Sequence, residues 1–146
     1  MIHVGIPSNF QDDSFFSILE LTETLSGLPL KIILFHALEM PTSITELLLL
    51  PRDSKASNLV SAGFTRQCHQ LVQELEQVQS IESVSFYGST QMVFNSFLKA
   101  HKIEVLVVPT DFQHQAISAY SQNPISFIEK AKLPILSVSP VVPQLS

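Results

Sequence analysis

Residues able to do chemistry are few in this sequence, and their spacing matches no common catalytic or metal-binding motif. His3, His101 and His114 lie far apart, and the chain contains neither an HExxH motif nor an i, i+4 histidine pair. A zinc site needs three or four ligands brought together, often with two of them on one helix face. The histidine spacing therefore predicts no metal centre.

Two other candidates have simpler structural explanations. Cys68 falls on the apolar stripe of a predicted helix, which favours a small buried side chain over a redox thiol. Asp12 and Asp13 precede another apolar stripe. Helix capping explains this acidic pair better than a metal site or an acid–base pair does.

Four polar residues remain as candidates. His36 ends an apolar run, where we favour a hydrogen-bonded structural histidine over a ligand contact. Asp111 either faces a cleft or caps a turn, and the pattern favours neither. Ser8 and Ser121 lack a GxSxG elbow and an evident base, so a hydrolase is not predicted. An enzyme using Asp111 and His36 is therefore the last-ranked hypothesis.

The chain has few charged residues, and its net charge is negative. Charged residues make up 14% of the 146 residues and the net charge is −5, whereas globular proteins average about 25% charged residues. So few charges indicate that another subunit covers part of the surface. The negative balance disfavours binding to nucleic acid and to anionic membranes.

The length and the single cysteine narrow the class of protein further. A chain of 146 residues suits one domain, spanning residues 1–146. One cysteine allows no internal disulfide, and no apolar run approaches the roughly 20 residues of a membrane helix. No signal-peptide pattern opens the sequence, and we expect a cytoplasmic location.

Five short apolar runs alternate with helical patterns. Amphipathic helical spacing occupies residues 15–25, 60–78, 93–98 and 125–131, and a short helix with a capping box is predicted at 43–50. This order predicts an α/β fold with a three-layer, doubly wound, five-stranded parallel sheet. The five predicted strands are Ile2–Ile6, Leu30–Ala37, Val84–Tyr87, Val105–Val108 and Ile135–Val138.

A site in such a sheet lies beyond the carboxyl ends of the strands, at the point where the strand order reverses. Strands one and four flank that point if the strand order is 3-2-1-4-5. None of the residues there is predicted to be catalytic. The candidate ligand-binding residues are Pro7, Ser8, Asn9, His36, Ala37, Pro109, Thr110, Asp111, Ser121 and Gln122.

A phosphate cradle is not predicted at this position. Nucleotide-binding loops need glycines, because only glycine lets backbone amides approach a phosphate closely. The four glycines, Gly5, Gly27, Gly63 and Gly88, belong to no GxGxxG or Walker motif. We therefore expect no cofactor.

Several segments resemble the universal stress proteins. Leu34–Ala37 resembles that family's second-strand ending, Gly88 its third strand, Glu104–Val108 its fourth and Pro134–Val138 its last. Their order and spacing match the family over roughly residues 1–140. The resemblance implies the adenine nucleotide alpha hydrolase-like fold, in which the five-stranded sheet has the strand order 3-2-1-4-5.

The chain departs from the ATP-binding members of that family. Those members carry an Asp at the end of strand one, and G-x-x-G, nine residues and G-S/T after strand four. Pro7 stands in place of the Asp, Pro109 and Phe112 take the first two glycine positions, and Ser121-Gln122 takes the third. The resemblance therefore implies the branch that does not bind ATP, in which dimerisation and stress-linked regulation are typical.

Two functional hypotheses follow. The first is a homodimeric binding or regulatory protein of the stress response, with a further protein or a small ligand as its other partner. The alternative is a protein that binds a nucleoside-like small molecule in the remnant cleft. In either case we expect the final strand to be an unpaired sheet edge that mediates dimerisation, through Ile135, Leu136, Ser137 and Val138.

Overall fold

A computed structural model describes residues 1–11, 13–39, 60–110, 112–116 and 121–139. Within these residues, no helix is both long enough and apolar enough to cross a membrane. Several predictions fall on positions outside the described residues, namely those for Asp12, the 43–50 helix and Asp111.

Strands and helices alternate along the described chain. The strands are β1 (Ile2–Pro7), β2 (Leu30–Leu38), β3 (Val78–Tyr87), β4 (Val105–Pro109) and β5 (Ile135–Val138). The helices are α1 (Asp13–Thr24), α2 (Ala62–Glu74), α3 (Gln91–Ala100) and α4 (Ile125–Lys130).

The sheet confirms the predicted fold. Its five strands lie in the order β3-β2-β1-β4-β5, and all paired strands are parallel. β1 pairs with β2 on one side and with β4 on the other, so the strand order reverses between β1 and β4 as predicted. β3 and β5 form the two edges, and their outer sides have no strand partner among the described residues.

Two apolar layers sandwich the sheet. Ile32 and Leu34 of β2 pack in the layer that includes α1 and α2, while Ile33 and Phe35 pack in the layer that includes α3 and α4. Alternate side chains of a strand point to opposite faces, and the continuous apolar sequence of β2 therefore suits a strand covered on both sides.

The third strand is longer than the sequence predicted. Val78, expected as the last apolar residue of a helix, is instead the first residue of β3, and α2 ends at Glu74. β3 pairs with β2 along its length while its outer side stays unpaired. An edge strand tolerates polar side chains, and the part of β3 before Val84 is mostly polar. Because this part contains no run of apolar residues, its sequence did not predict a strand.

Capping side chains and a glycine account for several helix ends. Thr90 caps α3 by accepting a hydrogen bond from the Val93 amide at 3.3 Å. Gly27 adopts a φ of 85°, the left-handed conformation that glycine allows after a helix. Asn123 accepts from the Ile125 amide at 3.1 Å, and Pro124 occupies the N-cap position of α4.

Cys68 is a core residue, as predicted. Its side chain is 3% exposed, and it belongs to the same apolar layer as Phe64. Burial raises the pKa of its thiol to about 11. The thiolate is the reactive form of cysteine, so this environment keeps Cys68 unreactive at neutral pH.

Candidate functional site

The end of β1 is fixed by the Ser8 backbone and hydroxyl. The Ser8 amide donates to the Phe35 carbonyl at 2.8 Å, which continues the pairing of β1 with β2. The Ser8 hydroxyl lies 2.7 Å from the Ser14 hydroxyl and accepts from the Phe10 amide at 2.9 Å. Ser8 is therefore buried and bonded within the protein, and it connects β1 to the start of α1.

His36 connects three segments of the chain. Its Nδ1 lies 2.9 Å from the Ser8 carbonyl, and its Nε2 lies 2.7 Å from the Ser121 hydroxyl. A carbonyl can only accept, so Nδ1 carries the proton. In the neutral ring Nε2 then accepts from Ser121, and one imidazole joins the ends of β1 and β2 to the segment that precedes α4.

Two aromatic rings lie beside this imidazole. The His114 ring stacks on it with centroids 5.4 Å apart, and the Phe10 ring is centred 5.9 Å away. Burial is the main cause that lowers the pKa of His36, and repulsion from His114 lowers it further, while the bond to Ser8 opposes the shift. Burial also lowers the pKa of His114. Both rings are therefore held neutral.

The structure corrects one expectation, that Ser121 has no base nearby. Hydrogen bonds connect three groups in the order Ser121 hydroxyl, His36 imidazole and Ser8 carbonyl. A nucleophile, its base and an orienting acceptor are arranged in the same order. Acyl transfer also requires donors aimed at a developing oxyanion. The neighbouring Gln122 amide is already bonded to the Ala37 carbonyl at 3.0 Å, which leaves it unavailable for that role. The arrangement supports a structural bridge.

Asn9 ties β1 to the loop after β4. Its side-chain nitrogen donates to the Gln113 carbonyl at 2.9 Å, and its side-chain oxygen accepts from the Gln115 amide at 3.2 Å. One amide side chain thus satisfies a donor and an acceptor of the loop, as a neighbouring strand would. Within this clamp Asn9 is 5% exposed, whereas the loop residues that it bonds, Gln113 and Gln115, are exposed.

The described residues leave a small cleft between β1, β4 and α1. The cleft there measures about 10 Å³, which barely accommodates one water molecule. It is lined by Ile6, Pro7, Ser8, Asn9, Asp13, Ser14, Ser17, Pro109 and Phe112.

Backbone amides of the adjoining loop are also engaged. The Thr110 amide donates to the Val138 carbonyl at 2.8 Å, and the Phe112 amide donates to the Pro109 carbonyl at 3.1 Å. Pro109 itself has no amide hydrogen. The described part of this loop therefore directs several of its donors into the protein.

Gln122 closes the ends of β2 and β3. Its side-chain nitrogen donates to the Leu38 carbonyl at 3.0 Å and also to the Gly88 carbonyl. Gly88 leaves no room for a side chain, because a Cβ there would lie 2.6 Å from Val93 Cγ1. Close packing thus explains this glycine without a ligand.

The predicted site residues fall into separate groups. Pro7, Ser8, Asn9 and Pro109 line the small cleft, whereas His36 and Ser121 lie in the imidazole bridge with the Ser8 carbonyl. Thr110 instead directs its hydroxyl to Ser139, at 3.4 Å. That these residues contact a ligand remains a prediction.

Sequence reasoning missed the residues that complete the bridge and the clamp. Phe10, His114 and Gln115 fall on no apolar stripe or motif, and their roles arise from contacts between distant segments. Among the described residues, no group of three or more His, Cys, Asp or Glu side chains is placed to hold a metal ion.

Comparison with known proteins supports the fold. No family model matches the sequence, and no curated protein matches it. Hypothetical protein PH0823 is similar in structure, with a TM-score of 0.52 and 14% identity over 96% of each chain.

Two further solved structures are similar. Hypothetical protein MJ0577 has a TM-score of 0.52 and 12% identity over 99% of this chain and 97% of its own. Universal stress protein UspA from Lactobacillus plantarum has a TM-score of 0.49 and 13% identity over 94% and 97% of the two chains. At these identities, the likeness to the two structures with a TM-score of 0.52 shows a shared fold.

The His36 bridge predicts that acid weakens folding. Because the folded state lowers the pKa of His36 below 6.5, its stabilising contribution is complete above pH 6.5 and declines as the pH falls towards the folded value. Burial lowers the pKa of His101 and His114 as well, and acts in the same direction. Urea unfolding at about pH 8 and about pH 5.5 should therefore show lower stability in acid.

Substitution of His36 distinguishes its contribution to acid sensitivity from that of the other histidines. His36→Gln should lower stability at about pH 8 by roughly 1–3 kcal/mol, because it disrupts buried hydrogen bonds. It should also reduce the loss of stability in acid. The control His69→Gln alters an exposed residue of α2 and should change neither value. A His36→Gln protein that retains the full acid sensitivity of the parent would contradict this assignment.

Proposed function

We propose that this chain is a universal-stress-like binding or regulatory protein that acts as a homodimer and does not bind ATP. The strand order and the family-like segments of the sequence support the universal-stress-like part of the proposal. The observation that supports the absence of ATP binding is that the protein's own side chains and loop hydrogen bonds close the sheet's carboxyl end.

The loop after β4 is poorly suited to a triphosphate. Phosphates bound by a loop need several free amides pointing towards them. The Thr110, Phe112 and Gln115 amides are each bonded within the protein. The Phe112 ring lines the cleft where a ligand would have to enter. Each of these contacts would have to break before a nucleotide could bind.

The nucleoside alternative gains no support from the same cleft. Small-molecule pockets usually enclose about 300–1,000 Å³, whereas this cleft measures about 10 Å³. A nucleoside would need Asn9 or Phe112 to move, and Asn9 is held by two hydrogen bonds.

Homodimerisation is proposed through β5. The Leu106 amide donates to the Pro134 carbonyl, and the Thr110 amide donates to the Val138 carbonyl. Backbone groups alternate sides along a strand, so those of Ile135 and Ser137 face away from β4. Ile135 is 45% exposed. Antiparallel pairing with a second copy would satisfy these groups and cover this side chain.

Titration with Mg-ATP tests the loss of nucleotide binding. Calorimetry should show no heat beyond dilution with about 100 μM protein, conditions that detect a micromolar dissociation constant. A cooperative unfolding transition in the same preparation controls for folding. Saturable binding in the micromolar range would overturn this part of the proposal.

Substitution of Ser137 tests the proposed dimer. Ser137→Pro removes an amide that faces away from β4, so it should shift the chain towards monomer while leaving the β4–β5 hydrogen bonds in place. Ser137→Ala keeps the amide and serves as the matched control. Val138 is unsuitable for this test, because it is 3% exposed in the core of the single chain and a charge there would unfold it.

Light scattering measures the oligomeric state of the parent and of both variants. At tens of micromolar, roughly the range in which weak interfaces assemble, the parent and Ser137→Ala should be dimers and Ser137→Pro largely monomeric. A monomeric parent, or a Ser137→Pro protein that stays dimeric, would rule out assembly through this edge.

A further inference from the structure

We propose that a second cavity, at the opposite end of the sheet, binds an amphipathic anion: a small molecule with an apolar body and a carboxylate-like head. The cavity measures about 450 Å³, within the range typical of small-molecule sites. It lies where the chain enters β4 and β5, and is lined by Asn95, Leu98, Lys99, Lys102, Ile103, Lys132 and Leu133. The inference uses no residue of the carboxyl end and stands independently of the proposed function.

The floor of this cavity is apolar. Leu98 and Ile103 belong to the apolar layer between the sheet and helices α3 and α4, and Leu133 packs against that layer. Their cavity-facing atoms form a surface that an alkyl chain or ring could cover, which would remove apolar area from water. An apolar floor alone does not select a ligand, so the charge around it determines the class.

The rim of the cavity is cationic. Lys99, Lys102 and Lys132 are exposed, and no Asp or Glu is among the lining residues. Within the described residues, ion pairs join His3 to Glu104 and Lys31 to Glu82, and none involves the three rim lysines. In a chain with net charge −5, three lysines around one cavity whose lining contains no acid reverse the local sign of charge.

An amide donor adds to this rim. Asn95 accepts a hydrogen bond from the Gln91 side chain at 3.0 Å through its own side-chain oxygen. That contact leaves the Asn95 side-chain nitrogen, which carries two N–H donors, available to an anionic head. A carboxylate offers acceptors only and therefore complements both the amide and the ammonium groups.

The backbone at Lys102 is the independent observation that favours a ligand. Lys102 has a φ of 57°, and α3 ends there in a Schellman motif: the Lys102 amide donates to the Lys99 carbonyl at 3.0 Å, and the Ile103 amide to the Leu98 carbonyl at 2.9 Å. Glycine is the residue best suited to this conformation. A lysine that occupies it places an ammonium group at the rim despite the conformational cost.

Sodium octanoate is the probe for this site, and the full-length chain is titrated while backbone amides are followed by NMR. We expect saturable shifts centred on the Leu98, Ile103 and Leu133 amides, with a dissociation constant of about 1 mM or lower. Octylamine has the same apolar body with the opposite charge and should not bind there. Absence of saturable shifts up to about 10 mM octanoate, or equal binding of octylamine, would overturn the proposal.

Two variants separate a binding role from a structural one. Lys102→Gly should raise the melting temperature, since glycine relieves the left-handed backbone, yet it should weaken octanoate binding about threefold. Lys130→Gln removes an exposed lysine of α4 that does not line the cavity, and should leave binding unchanged. A Lys102→Gly protein that binds octanoate like the parent, or a Lys130→Gln protein that is weakened equally, would overturn the proposal.

Discussion

The buried imidazole of His36 is the contact on which the carboxyl end of the sheet depends. Its two nitrogens are bonded to the Ser8 carbonyl and the Ser121 hydroxyl, residues that lie 28 and 85 positions away in the chain. A buried ring with both nitrogens bonded resists rotation, because any other orientation leaves a polar atom unpaired. The positions of β1, β2 and the segment before α4 are therefore fixed relative to one another.

The two ends of the sheet differ in the space that they leave open. At the carboxyl end, the side chains of Asn9 and Gln122 are bonded to backbone groups of neighbouring segments, and the cleft that the described residues line between β1, β4 and α1 measures about 10 Å³. At the amino end of β4 and β5, a cavity of about 450 Å³ remains open and carries Lys99, Lys102 and Lys132. Open sheets of this class usually bind ligands at the carboxyl end, where the cleft that the described residues line is small.

The sequence predicted what depends on local pattern and missed what depends on distant contacts. Strand β5 was predicted with its observed bounds, because its short apolar run stands out from its neighbours. The first part of β3 was missed, since its residues are held by pairing with β2 and not by their own composition. The pairing of His36 with His114, and of Asn9 with the 113–115 segment, joins residues far apart in sequence that share no motif.

Amide hydrogen exchange at Gln115 tests most directly whether the protein's own side chains close the carboxyl end. Bonded to the shielded Asn9 side chain, this amide should exchange at least about a hundredfold more slowly than in an unstructured peptide. Asn9→Ala should abolish that protection and spare the Gln122 amide, which is bonded to the Ala37 carbonyl. Exchange of Gln115 at the free-peptide rate in the parent chain would contradict the account.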